Sequence, residues 1–188
     1  MEPDEALAAL AARGDAAAFE RLVGRHQAPL INFAYRMLGD RDEAADAVQQ
    51  TFVQVYLNLP RARLDLAFKP WLYRIARNQC LDRLRQRRPS TSLEAELADD
   101  EAAFEARDPE PLPEDLLERR DLQRLLAAAI ATLPERYRSV VALRYVTDLT
   151  FAEIGQALGI PENTVKTFFQ RAKAMLRLKL SADDPRVG

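Results

Sequence analysis

The chain has one cysteine, Cys80, and one histidine, His26, in 188 residues. A disulfide within the chain is therefore excluded, and a zinc site built from Cys and His ligands lacks the ligands it needs. No apolar run approaches the roughly 18 residues of a membrane span, so no membrane insertion is expected. The opening Met-Glu-Pro-Asp-Glu is acidic, with no basic flank before an apolar stretch. That argues against a signal peptide, and a reducing cytoplasm is the expected location. There is no glycine-rich phosphate loop, and a lone His and a lone Cys offer no acid–base or nucleophilic constellation. An enzyme is not expected, nor are catalytic residues, a metal or a cofactor. Glycine is scarce at six residues and β-branched runs are rare, which disfavours sheets.

What is abundant points the other way. Ala, Leu, Arg and Glu dominate, and 48% of residues are hydrophobic against 30% charged, the composition of an all-α protein. The net charge of −2 conceals a strong asymmetry. Residues 61–88 carry nine basic and two acidic side chains, and residues 136–180 carry eight and three. Between them, residues 89–118 carry eleven acidic side chains and one basic. Basic blocks of this density suit a polyanion partner.

The acidic segment also holds Pro89, Pro109, Pro111, Pro113 and a Ser-Thr-Ser stretch. It can bury little apolar surface and reads as a flexible linker, with room for a short helix around Leu93 to Phe104. The expected organisation is an N-terminal domain over 1–88, a linker over 89–118, a C-terminal domain over 119–180 and a tail over 181–188. The N-terminal domain reads as four helices. A short one runs from about Asp4 to Ala12. Asp15 caps a second, whose Phe19, Leu22, Val23, His26, Leu30, Phe33 and Met37 form one buried stripe and which Pro29 should kink. His26 on that stripe reads as a packed core residue. Asp40 caps a third helix with Val48, Phe52, Val55, Tyr56 and Leu59 turned inward. Residues 60–68 read as a loop. A fourth helix begins near Lys69 and Pro70 and puts Trp71, Arg74, Arg77, Asn78, Asp82, Arg85 and Arg88 on one side. An aromatic, an amide and several arginines on one face suit phosphate contact, base-edge reading and stacking. Cys80 falls on the opposite, apolar side.

The C-terminal domain opens with helices over about 116–132 and 135–147. Thr150 and Glu153 then match a capping box, Gly159 supplies a tight turn and Pro161 begins another helix. Ile154, Leu158, Ile160, Val165 and Phe169 can pack between these two short elements. This is a helix-turn-helix, whose second helix enters the major groove with Glu162, Asn163, Thr164, Lys166, Thr167, Gln170 and Arg171 near the bases.

In their order along the chain, these motifs resemble the extracytoplasmic-function (ECF) group of bacterial sigma factors, which keep only the second and fourth sigma regions. EAADAVQQTFVQVY, from Glu43 to Tyr56, is similar to the core-polymerase-binding helix. WLYRIARN, from Trp71 to Asn78, is similar to the helix that melts promoters and reads the −10 element. LPERYR, from Leu133 to Arg138, and the stretch from Thr150 to Lys173 resemble the −35-reading domain. The resemblance implies a four-helix region 2 domain and a helix-turn-helix region 4 domain. It implies that Asp46, Gln49, Phe52 and Val53 lie on or behind the surface gripping the clamp helices of the largest polymerase subunit. It places Arg61, Arg63, Trp71, Arg74, Arg77 and Asn78 at the −10 element, with a flipped base received by the loop from Arg61 to Phe68. It places Arg144, Thr164, Lys166, Thr167, Gln170, Arg171 and Lys173 at −35. Core RNA polymerase, including its flap region, and promoter DNA are the implied partners. The acidic linker would lie near the RNA exit path.

The chain departs from the family pattern where Ala45 and Gln50 stand in place of carboxylates, and where Phe168 stands in place of a frequent arginine. Fewer negative charges should weaken the grip on a basic clamp. Phosphorylation of Thr51 by a Ser/Thr kinase would add roughly −1.5 to −2 of charge and restore it; the alternative is that Thr51 merely packs and the contact tolerates the loss. The other expected route of control is a separate anti-sigma factor, because no fused regulatory domain is expected after Leu180. A self-sufficient repressor or activator would also explain the helix-turn-helix, but it leaves residues 40–88 without a purpose.

Overall fold

A computed structural model describes residues 2–62, 67–87 and 120–182. Among them the chain is all-α, with eight α-helices and no strand. The order is α1 (Asp4–Ala11), α2 (Ala16–Leu38), α3 (Arg41–Asn58), α4 (Phe68–Arg87), α5 (Arg120–Ala131), α6 (Glu135–Val146), α7 (Phe151–Leu158) and α8 (Glu162–Ala182). The expected loop after α3 begins with a single 3₁₀ turn, Leu59–Arg61. Arg63 and the acidic segment 89–118, with its expected short helix, lie outside the described residues.

Local chemistry sets the helix ends. Asp15 accepts a hydrogen bond from the Ala18 N–H at 3.0 Å, and Asp40 accepts one from the Glu43 N–H at 2.9 Å. Each satisfies a donor that the first helical turn leaves unpaired. The α2 helix continues through Pro29 and ends at Gly39, whose φ of 73° lies in the left-handed region glycine enters at little cost.

The α2 stripe of Leu22, Leu30, Phe33 and Met37 is buried against Ala44, Ala47, Val48 and Val55 of α3 and Leu72, Tyr73, Ala76 and Cys80 of α4. Tyr73 meets the Phe33 ring edge-on at 5.4 Å. Each fully buried large side chain contributes about 1.5–3 kcal/mol. His26 is a core residue, as its place on the stripe implies. Its Nε2 lies 2.7 Å from Asp4 Oδ2 and its ring 5.7 Å from Phe68. Tyr56 departs from the expected inward stripe. Its ring rests edge-on against Phe19 at 5.1 Å, yet the residue is 56% exposed. At 100° per residue it falls on the shoulder of the helix, beyond the face that α2 and α4 cover.

The two halves pack together, an arrangement the sequence leaves open. The α2 helix packs against α5 and α6, and α4 packs against α7. Val140, Leu143, Ile154 and Ala157 join the same apolar cluster as Met37, Leu72 and Tyr73. Arg138, buried, donates through one guanidinium nitrogen to the Met37 carbonyl at 3.0 Å and through two others to the Leu133 carbonyl. The α2 C-terminus thus meets cationic donors from both halves, since Arg87 of α4 donates to the Leu38 carbonyl at 2.9 Å.

Candidate nucleic-acid and protein interfaces

The α3 helix presents the first site. Its buried residues Ala44, Ala47, Val48, Thr51 and Val55 fix which side faces out. The outer side carries Asp46, Gln49, Val53, Tyr56 and Leu57 at helical spacing. Val53 is 48% exposed and Leu57 61%, so this stripe is an apolar patch with a polar N-terminal end. Phe52 is half-buried behind it, packed on the core. Ala45 and Gln50 are also exposed, so the two missing carboxylates belong to the outward surface. Asp46 remains, about as far from Arg83 as a weak ion pair allows, at 3.9 Å.

Of the two readings open for Thr51, the structure favours the packed residue. It is 0% exposed, and its hydroxyl donates to the Ala47 carbonyl at 2.7 Å. A kinase needs the residue and its flanking backbone in the open. A phosphate here would put nearly two negative charges into an apolar core.

The α4 helix presents the second site. Trp71 is half-buried, 6.0 Å from the Phe68 ring, and Asn78 and Arg61 are exposed. Arg74 and Arg77 share this face but are not free. The Arg74 guanidinium donates to the Ala157 carbonyl at 3.3 Å and to the Gln156 carbonyl, both in the last turn of α7. Arg77 donates to Ser139 Oγ at 3.2 Å and sits 3.7 Å from a Glu135 carboxylate oxygen. Burial pulls the Arg77 guanidinium below its ordinary range, and Glu135 partly offsets this. Lys69, one turn earlier, pairs with Asp148. The sequence assigns these arginines to DNA and gives them no partner within the chain, and it assigns no role to Lys69, Glu135, Ser139 or Asp148. The uneven charge distribution was the available signal, but it does not say which carboxylate meets which cation.

The third site is the helix-turn-helix of α7 and α8. The capping box is present: Glu153 N–H donates to Thr150 Oγ1 at 3.2 Å, and Thr150 N–H donates to Glu153 Oε2 at 2.8 Å. Gly159 turns the chain with φ 71°. Gly155 is required for another reason: a Cβ there would lie 2.7 Å from the Ile160 carbonyl oxygen. Without side-chain bulk at that point, the turn folds directly onto α7 and fixes the angle of α8. Lys166 and Thr167 are exposed and Thr164 half-exposed on the first turns of α8. Lys166 pairs with Glu162 at 2.8 Å. Arg144 is exposed, its guanidinium 5.0 Å above the Phe151 ring and bonded to the Leu149 carbonyl at 3.1 Å. Gln170 and Arg171 are half-buried. Lys173 is a correction: it is 7% exposed, with its ammonium 5.5 Å over the Phe169 ring, so it braces the helix rather than facing a groove. Phe168 packs edge-on to Tyr137 at 5.3 Å. The departure from arginine there adds to the core.

Among the described residues, no helix is long and apolar enough to cross a membrane. Residues 22–89 match the family model Sigma-70 region 2, and residues 123–176 match Sigma-70, region 4. The chain is 36% identical over 171 residues to the ECF RNA polymerase sigma factor SigW of Bacillus subtilis, covering 89% of this chain and 91% of that protein. It is 33% identical over 179 residues to the RNA polymerase sigma-H factor of Pseudomonas aeruginosa, covering 92% and 91%. Among solved structures, CnrH in complex with the cytosolic domain of CnrY superposes with a TM-score of 0.73 and 29% identity, over 97% of this chain and 100% of CnrH. The sigma factor RpoE of Bartonella quintana, in complex with the anti-sigma factor NepR, shares the fold at a TM-score of 0.62 and 21% identity, over 88% and 98%.

Proposed function

The chain belongs to the ECF group of sigma factors, transcription-initiation proteins that are not enzymes, and from that premise we propose how its surfaces divide the work. The outer stripe of α3, with Asp46, Gln49 and Val53 in front and Phe52 behind, grips the clamp helices of the largest polymerase subunit. The α4 face of Trp71, Arg74, Arg77 and Asn78, together with Arg61 and Arg63, receives the −10 element. Thr164, Lys166, Thr167, Gln170 and Arg171 of α8, with Arg144, read the −35 element in the major groove, and region 4 also meets the polymerase flap. The observation that carries this reading is the α3 stripe, an apolar patch left open on a helix whose other side is fully committed to the core. A self-sufficient DNA-binding protein has no use for it.

No bond is made or broken by the protein. Strand opening follows if α4 binds the single-stranded non-template strand better than duplex, because differential affinity alone shifts that equilibrium. Holding a flipped base offsets an unstacking cost of a few kcal/mol. The setting is the cytoplasm. Of the two routes of control, the burial of Thr51 favours a protein partner over a Ser/Thr kinase. CnrH and the Bartonella RpoE were both solved with protein partners, the latter with an anti-sigma factor, and an anti-sigma factor is the regulator proposed here. The test is run-off transcription on genomic fragments with core polymerase, with and without the chain, followed by mapping of start sites. New start sites that depend on the chain, and that Asn78→Ala weakens, are the expected result. Occupancy of target DNA by the chain alone, with no effect of core polymerase, would overturn the reading.

A further inference from the structure

The helix that would meet the −10 element begins without a cap of its own. Ala67, which stands before α4, has no side-chain acceptor. Pro70 in the first turn brings no N–H, so Phe68 and Lys69 carry the donors there. The acceptor comes from 63 residues earlier in the chain: Glu5 Oε1 of α1 takes the Phe68 N–H at 3.3 Å. A carboxylate at that place also suits the positive end of α4. Its neighbour Asp4 holds a second link. Asp4 Oδ2 lies 2.7 Å from His26 Nε2, and Arg25 donates to the same carboxylate. The His26 ring in turn tilts against the Phe68 ring at 5.7 Å. Phe68 is buried, and its ring lies 6.0 Å from that of Trp71. The same α1 also packs on the 3₁₀ turn Leu59–Arg61, whose Leu59 is buried. One short helix thus grips both flanks of the stretch from Arg61 to Phe68, which the family resemblance sets against the flipped base. Asp4 and Glu5 lie in the first turn of α1 itself, but their partners His26 and Phe68 belong to α2 and α4. Charge at the start of α1 does not account for those contacts.

We propose that α1 is a positioning element for −10 recognition: Glu5 fixes the first turn of α4, the Asp4–His26 pair fixes Phe68, and together they set how Trp71 meets the opened strand. Glu5, Asp4 and His26 touch no DNA. They act through Phe68 and Trp71. A base stacks most tightly on a ring that is already held, because ordering the ring on arrival costs affinity. The α3 stripe and the start of α8 lie on other helices, so loosening this brace spares core binding and −35 reading and weakens −10 engagement. This inference rests on the reading of α4 as the −10 helix.

The test uses holoenzyme assembled from core polymerase and the full chain. Binding is read by anisotropy of a labelled single strand carrying the non-template −10 sequence, taken from the mapped start sites. Glu5 is exposed, so Glu5→Ala leaves the apolar core untouched. Loss of a helix cap shifts the balance between ordered and frayed turn about fivefold, so Glu5→Ala should weaken strand binding by about two- to fivefold. Glu5→Gln, whose amide oxygen can still accept from the Phe68 N–H, should restore most of it. Affinity for core polymerase and for −35 duplex should not move. On a Trp71→Ala background Glu5→Ala should add nothing, because a residue that acts through another is not additive with it. A second measurement uses the free chain. Trp71 is its only tryptophan, so acrylamide quenching reports that ring alone. Asp4→Ala and Glu5→Ala should each raise the quenching constant, and Asp4→Asn, which keeps an acceptor for His26, should not. Unchanged strand binding in Glu5→Ala would overturn the inference. So would its full effect persisting on the Trp71→Ala background, an equal loss of core binding, or quenching that neither alanine variant raises. If Trp71→Ala itself leaves strand binding intact, the reading of α4 as the −10 helix fails, and the inference falls with it.

Discussion

The same substitution, Gly→Ala, should move stability in opposite directions at two helical positions. At Gly155, inside α7, a Cβ would lie 2.7 Å from the Ile160 carbonyl oxygen and 3.5 Å from the Glu162 nitrogen. Both are backbone atoms, so no side-chain rotation relieves the clash. The Gly155 carbonyl also accepts from Ile160 N–H at 3.0 Å, so the turn cannot retreat without stretching its own hydrogen bond. Forcing a methyl into a packed site costs about 1–3 kcal/mol. Gly→Ala inside a helix returns roughly 1 kcal/mol, leaving Gly155→Ala destabilised by up to about 2 kcal/mol. At Gly24, inside α2, nothing lies within 4 Å of the same Cβ, so only the propensity gain acts. Gly24→Ala should therefore stabilise by roughly 0.5–1 kcal/mol. In a chain of this size 1 kcal/mol moves the Tm by roughly 2–4 °C. Thermal unfolding by circular dichroism should lower the Tm of Gly155→Ala and raise that of Gly24→Ala. Because a displaced turn tilts α8, Gly155→Ala should also weaken −35 DNA binding while Gly24→Ala leaves it alone. Equal Tm shifts for the two variants would refute the account of the turn.

Tyr56→Ala removes the largest exposed ring of the α3 stripe and should weaken core polymerase binding by about 1–2 kcal/mol, roughly 5- to 30-fold, in a fluorescence titration. Ala45→Glu with Gln50→Glu should strengthen the same binding at low salt, since both positions face outward; no gain would remove the charge argument. Lys166→Ala should reduce affinity for −35 duplex uniformly across sequences and lower the salt slope by about one ion, read by binding isotherms at several salt concentrations. His26 is buried, and desolvation holds its pKa below 6.5 against the pull of Asp4. The unfolded chain thus takes up its proton first, so this contribution to stability is complete above pH 6.5 and falls as the pH drops below it. The Tm difference between the native chain and His26→Gln should shrink between pH 7.5 and pH 5.5; a constant difference would show that His26 does not titrate on unfolding.

Among the described residues, the sequence alone determined the eight helices and several of the caps that bound them. Helix formation depends on local chemistry that a linear string displays: Asp15 and Asp40 as caps, the Thr150–Glu153 box, glycine at 39 and 159, and apolar residues at three- and four-residue spacing. It also determined the family, because the α3, α4 and α8 motifs are contiguous stretches. Exposure within a helix was less legible. Tyr56 and Lys173 have amphipathic side chains that suit either side, and which side wins depends on the neighbouring helices. Thr51 read equally as a modification site and as a packed residue, and burial with its hydroxyl on the Ala47 carbonyl favours the second. What only the tertiary structure decided is who occupies the arginines of α4. Arg74 meets carbonyls more than 80 residues away, at the end of a helix whose partial charge comes from aligned backbone dipoles. No residue type encodes that charge, so no reading of side chains along the chain could have found it.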